Sequence, residues 1–130
     1  PFGAGEGLFT KEFYGNCYNA LHADGIMINQ NESPFYTEEA FQCQRMHRRI
    51  LETFPICRVY QAHIPSYPSG HWLFGFASKK YHPLDDLDKV GWKLKGIHTK
   101  YYEPRLHAGV FALPAYVEEL LEDVEKKDGR

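Results

Sequence analysis

From residue 8 to residue 23 the chain alternates at helical spacing. Phe9, Phe13, Cys17 and Leu21 fall on every fourth position, Tyr14 and Tyr18 widen the stripe, and Lys11 and Glu12 face out. That is the period of an amphipathic helix. Asp24-Gly25 stops it and turns the chain. Ile26-Met27-Ile28 follows as a continuous apolar run, and Asn29 to Ser33 close it with polar residues before Pro34. Such a run predicts a strand over 26–32 that is covered on both faces. Thr37-Glu38-Glu39 then reads as a helix start, a hydroxyl N-cap with acids in the first turn. The helix is expected to run to about residue 53. Phe41, Met46, Ile50 and Phe54 would form its buried side, and Arg45, His47, Arg48 and Arg49 a solvated one. Phe54-Pro55 ends it.

Two further strands are expected at 56–64 and 71–78, the first holding Val59, Tyr60 and Ala62. The turn-rich loop between them, Pro65-Ser66-Tyr67-Pro68-Ser69-Gly70, is too short for a parallel crossover, which needs about a dozen residues. These strands should therefore be antiparallel neighbours. The order helix, strand, helix, strand, strand describes the second half of an α/β sheet, with parallel strands, an antiparallel strand at the end and helices packed on the sheet. The glycine-rich fingerprint of a nucleotide-binding first half is missing from the chain. Residues 79–96 read as a surface loop with one weak helix at 84–94, and 101–111 as a short helix or turn. A last helix is expected at 115–125, with Pro114 in its first turn and Val117, Leu120, Leu121 and Val124 on one face. Residues 126–130 should fray.

The 130 residues suit one domain. A net charge of −2 argues against a nucleic-acid partner, which would need a basic patch. No apolar run approaches the ~20 residues that span a bilayer, and no basic-then-apolar signal segment opens the chain, so no membrane is expected. Cys17, Cys43 and Cys57 are odd in number, far apart and without a CxxC pair. This disfavours a disulfide framework or a zinc site and makes a reducing cytosol the default. The chain opens on Pro1, inside what reads as a loop, so a fragment of a longer domain is expected.

Three loops could carry chemistry. The opening Pro1-Phe2-Gly3-Ala4-Gly5-Glu6-Gly7 lets backbone approach a ligand closely. Gln30-Asn31-Glu32 offers one negative charge and two amides at the carboxyl end of a strand, where open α/β sheets bind ligands. The stretch from Tyr67 to Trp72 adds a phenol and an indole. Because the strands at 26–32 and 56–64 would run in the same direction, all three loops should meet at one sheet edge. A carboxylate, an amide and aromatic rings there suit an alkyl amine. The same residues could also simply cap the strands and cover the sheet end. The seven His make no metal-ligand spacing, no Ser stands in a GxSxG elbow, and the Cys lie inside predicted elements.

Pro1-Phe2-Gly3-Ala4-Gly5-Glu6-Gly7-Leu8-Phe9 resembles the PxGPAExLF segment of the spermidine synthases. Asp24-Gly25 followed by Gln30-Asn31-Glu32-Ser33 resembles the strand of that family that ends in Q-x-E-S. Ile64-Pro65-Ser66-Tyr67-Pro68-Ser69-Gly70, with Trp72 after it, resembles its I-P-[ST]-Y-P-[ST]-G loop. Tyr101-Tyr102, His107, Phe111 and Leu113-Pro114 resemble its Y-Y-x-x-x-x-H-x-x-x-F-x-L-P ending. These motifs occur in order and cover nearly the whole chain.

The resemblance implies a class I methyltransferase-like, Rossmann-like fold, of which residues 1–130 would be the C-terminal half of the catalytic domain with the N-terminal half absent. It implies aminopropyl transfer from decarboxylated S-adenosylmethionine, a co-substrate rather than a cofactor, to putrescine. Gln30, Glu32, Tyr67 and Trp72 match diamine-site positions; Ala4, Gly5 and Leu8 match positions around the adenine and thioether of the donor. The family's general base is an Asp in a D-[ST]-x-D-P segment, and this chain begins at the Pro, so no catalytic residue is expected within it. Ala4-Gly5 replaces the family's Pro-Ala, and Glu103 stands where Asn is common. An alternative is a non-catalytic module for dimerisation or polyamine binding; methyl transfer by a related fold suits Gln30, Glu32 and Tyr67 less well. The open edge of the 26–32 strand predicts a homodimer or higher homo-oligomer.

Overall fold

The structure, a computed structural model, describes residues 10–127. Helix α1, Lys11–Ala20, starts where the Thr10 hydroxyl accepts the Phe13 N–H at 3.2 Å. It ends at Leu21 rather than at Gly25. Gly25 instead closes a turn back to the His22 carbonyl and packs so tightly on Leu21 that a Cβ would clash. Strand β1 is Ile26–Gln30, helix α2 Thr37–Leu51, β2 Ile56–His63 and β3 His71–Ser78. Thr37 is the first helical residue of α2, not its cap; Tyr36 holds that position without a side-chain bond. Three more helices follow. Helix α3, Lys89–Lys95, starts later than expected and ends at Gly96 in the left-handed conformation. Helices α4, Pro104–Gly109, and α5, Ala115–Lys127, complete the chain.

Strands β2 and β3 form the expected antiparallel hairpin, in register from Ile56 opposite Ser78 to His63 opposite His71. β3 does not, however, lie outside β2. The sheet order is β1-β3-β2, so β3 is central and pairs antiparallel with both neighbours. β1 and β2 therefore run in the same direction without touching.

One face of the sheet carries the core. Cys43 of α2, Val59, Leu73, and Val117 and Leu121 of α5 form one buried cluster; Tyr14, Ile50, Phe54 and Ala77 form another. Burying one such side chain contributes about 1.5–3 kcal/mol, so these clusters fix how α1, α2 and α5 sit on the sheet. Three expectations fail here. β1 is not covered on both faces, since Ile26 and Ile28 are 43% and 49% exposed. Phe41 is 64% exposed rather than buried. His47, read as part of a solvated face, is 2% exposed, and its Nε2 lies 3.0 Å from the Glu125 carboxylate, tying α2 to α5. In each case the neighbouring element, and not the local period, decides exposure.

Candidate functional site

The shared direction of β1 and β2 delivers their C-terminal loops to one edge of the sheet. Gln30 ends β1 opposite Phe74 and is exposed. The chain then stays against β3. The Asn31 N–H donates to the Leu73 carbonyl at 2.9 Å, and the Leu73 N–H to the Glu32 carbonyl at 3.3 Å. Alternation along a strand puts Gln30 and Glu32 on the face that carries Trp72 and Phe74. The Cys43 thiol donates to the Glu32 carbonyl at 3.1 Å, anchoring the loop to α2. Burial pushes that thiol up to about 12, so it stays protonated and does not act as a nucleophile.

The loop after β2 folds on itself. The Tyr67 N–H donates to the Ile64 carbonyl, the Gly70 N–H to that of Tyr67, and the Ile64 N–H to that of Gly70, all within 2.8–2.9 Å. The Tyr67 ring meets the half-buried Trp72 ring edge-on at 4.6 Å. The two loops are joined: the Ser33 and Ser69 hydroxyl oxygens lie 2.9 Å apart. Behind them, His71 Nε2 donates to Gln61 Oε1 at 2.7 Å, which leaves Nδ1 to accept the Tyr116 hydroxyl at 2.8 Å. Burial, and next the neighbouring His63, hold the His71 imidazole below its usual range, favouring this neutral form. Glu39, half-buried in the first turn of α2, has its carboxyl raised by burial and then by Glu32 and Glu38. The edge is therefore acidic, polar and aromatic at once.

The structure thus brings Gln30 and Glu32 to the same edge as Tyr67 and Trp72. Ala4, Gly5 and Leu8 lie outside the described residues. Ser33, Ser69 and His71 were not singled out from the sequence as site residues. Ser33 and Ser69 stand inside the quoted motifs and His71 inside the Tyr67 to Trp72 stretch, but nothing there marks them as partners; Ser69 adopts φ +64°. A separate apolar cleft of about 270 Å³ lies on the same sheet face, between Ile28, Tyr60 and Phe76 and the Tyr101, Leu106 and Phe111 side chains. None of Gln30, Glu32, Tyr67 or Trp72 lines it. The Tyr102 hydroxyl bonds His107 Nδ1 at 2.7 Å, and His107 Nε2 donates to the Pro83 carbonyl at 2.8 Å, which fixes α4 beside the cleft. Glu103 caps α4 by accepting the Leu106 N–H at 2.8 Å. Among the described residues no three His, Cys, Asp or Glu side chains converge as a metal site, and no helix is long and apolar enough to cross a membrane.

Comparison with known proteins bears on this geometry. Residues 1–89 match the spermine/spermidine synthase domain. The chain is 65% identical over 126 residues to a polyamine aminopropyltransferase of Alkaliphilus oremlandii, a match that covers 97% of this chain and 44% of that protein. The chain spans less than half the length of the curated relatives it matches. Among solved structures, the spermidine synthase of Thermotoga maritima superposes with a TM-score of 0.82 at 41% identity, covering 88% of this chain and 39% of that one. A spermidine synthase in complex with the transition state analogue AdoDATO superposes with a TM-score of 0.83 at 40% identity, covering 90% and 40%. The layered helices and the β1-β3-β2 sheet are accordingly part of a methyltransferase-like fold. A domain match over 89 of the 130 residues, with the site loops inside it, makes this chain a member of the spermine/spermidine synthase family.

Proposed function

We propose that the polypeptide carrying this chain transfers the aminopropyl group of decarboxylated S-adenosylmethionine to putrescine, giving spermidine and methylthioadenosine. The observation that carries this reading is the meeting of the residue 30–33 loop with the residue 64–70 loop at one acidic, aromatic edge, joined through Ser33 and Ser69 at 2.9 Å. The carboxylate of Glu32 attracts an ammonium end of the acceptor, the Gln30 amide accepts a further N–H, and the Tyr67 and Trp72 rings cover the methylenes.

In the reaction a neutral primary amine attacks the methylene next to the sulfonium. A C–N bond forms, the C–S bond breaks, and its electron pair stays on sulfur as the neutral thioether. The new ammonium loses one proton to a base, and holding both substrates in line supplies much of the remaining acceleration. We assign that base to an Asp upstream of residue 1, and residues 1–130 to the C-terminal part of the catalytic domain. Ala4, Gly5 and Leu8 belong to the donor side, with decarboxylated S-adenosylmethionine as a co-substrate and no cofactor. The cytosol is the compartment that suits three free thiols.

A second reading, a non-catalytic module for dimerisation or polyamine binding, is favoured by one observation. Ile26 and Ile28 are half exposed on a strand that pairs on only one side among the described residues. A transfer assay with putrescine and decarboxylated S-adenosylmethionine, run on this chain and on the longer polypeptide that carries it, separates the two. Spermidine made only by the longer polypeptide is the expected result. No product from either, with putrescine binding or dimerisation retained, supports the module. Product from this chain alone would overturn the assignment of the base.

A further inference from the structure

The two loops of the proposed amine site leave strands that do not touch, because β3 lies between β1 and β2. Pairing sets Glu32 against β3 through the Leu73 N–H, but residues 64–70, which carry Tyr67, lie beyond the last β2–β3 pair, His63 opposite His71. The Ser33–Ser69 bond spans that gap directly, between residues 36 positions apart. Ser33 follows Glu32 and is fully buried at 0% exposure; its oxygen also accepts the Phe35 N–H at 3.2 Å. Ser69 reaches in from an exposed turn two residues after Tyr67. Its oxygen accepts the His71 N–H at 3.2 Å, and the His71 ring is itself held by Gln61 and Tyr116.

Ser69 also stands in an unusual backbone state. It is the one residue other than glycine with positive φ among the described residues, +64°, and Gly70 beside it has φ +70°. A serine side chain is disfavoured in that region and a glycine is not. The hydroxyl is what a glycine would lack.

We propose that Ser69, through its bond to Ser33, is a positioning residue that sets the span between the Glu32 carboxylate and the Tyr67 ring, and so the length of diamine the site accepts. This rests on the reading of that edge as the acceptor site. With the clip closed, an acceptor must match a fixed distance from its anchored ammonium end to the aromatic cover. With it open, the Tyr67 turn is released from the Glu32 loop, and diamines with one methylene fewer or more fit nearly as well as putrescine.

The test uses the longer polypeptide with three variants, Ser69→Gly, Ser33→Ala and both together. Ser69→Gly removes the hydroxyl but suits φ +64°, so it loses the clip without straining the turn. The expected result is a KM for putrescine raised about three- to tenfold, the worth of one hydrogen bond, with kcat changed far less. The preference for putrescine over 1,3-diaminopropane and cadaverine should narrow. The double variant should fall short of the sum of the two single ones by the worth of the shared bond, since the Phe35 and His71 N–H contacts are lost separately. A Ser69→Gly variant with wild-type KM and wild-type discrimination overturns the proposal. Amide exchange supplies a readout that needs no turnover: Ser33→Ala should speed exchange at residues 66–70, and unchanged exchange there also overturns it. If the wild-type polypeptide makes no spermidine, the acceptor-site reading fails while the exchange result still decides whether the clip holds the loop.

Discussion

Gly75 on β3 lies directly beneath the side-chain amide of Asn29 on β1, and a Cβ at position 75 would collide with the amide oxygen and crowd Ile50 Cδ1 at 3.3 Å. The Asn29 amide nitrogen donates to Asn31 Oδ1 at 2.8 Å, so Asn29 cannot swing aside without losing that bond. Gly75→Ala should therefore destabilise the fold by about 1–3 kcal/mol, the usual cost of overpacking. A urea titration would read this as a lower midpoint at constant slope; an unchanged midpoint would mean that the strands separate freely.

In the proposed acceptor site Glu32 supplies the charge. Glu32→Gln keeps the shape and the backbone bonds to Leu73 and Cys43 but removes the charge. In the longer polypeptide the KM for putrescine should rise about ten- to hundredfold, as for loss of a charged hydrogen bond. The KM for decarboxylated S-adenosylmethionine should stay where it was. Equal increases for both substrates would count against Glu32 as an acceptor contact.

Cys43 should be chemically silent in the folded protein. With its thiol pushed up to about 12 by burial, roughly one molecule in ten thousand is thiolate at pH 8. Maleimide labelling followed by mass spectrometry should modify Cys17 and Cys57, which are partly accessible, well before Cys43. Fast labelling of Cys43 would show that α2 opens locally from the Glu32 loop.

Acid should loosen the His71 network. His71 is held below its usual range by burial and then by His63, and it faces Gln61 and His63 on β2 and Tyr116 on α5. Well above about pH 6.5 both folded and unfolded chains keep it neutral, and it costs nothing. As pH falls through about 6.5 the unfolded chain takes up the proton first, so stability declines until the lower folded value is passed. Wild-type protein should lose stability between pH 7 and 5 more steeply than His71→Gln. Parallel curves would show that the imidazole is not held neutral by the fold.

Much of this was legible from residues alone. The bounds of β3 followed from the run of residues 71–78, the antiparallel hairpin from a connection too short to cross over, and the apolar face of α5 from its period. The meeting of residues 30–32 with residues 67–72 followed from strand direction. What stayed hidden depends on partners distant in sequence. Ile26 and Ile28 look like Met27 in a run of apolar letters, yet only Met27 packs against the Tyr14 and Phe54 cluster. His47 looks like its arginine neighbours until Glu125 of α5 arrives beside it. Ser33 and Ser69 carry no periodic signal, because a hydroxyl pair is visible only once both loops are in place.

The central position of β3 has a consequence for the order in which the chain can be assembled. β1 and β2 each find their described partner in β3, the strand made after both of them. At about 5–20 residues per second, several seconds pass on the ribosome between completion of β1 and arrival of β3. During that interval the Ile26-Met27-Ile28 run has no described strand to lie against. Among the described strands, pairing therefore waits for β3, so this part of the sheet closes only once the hairpin ending at residue 78 has been made.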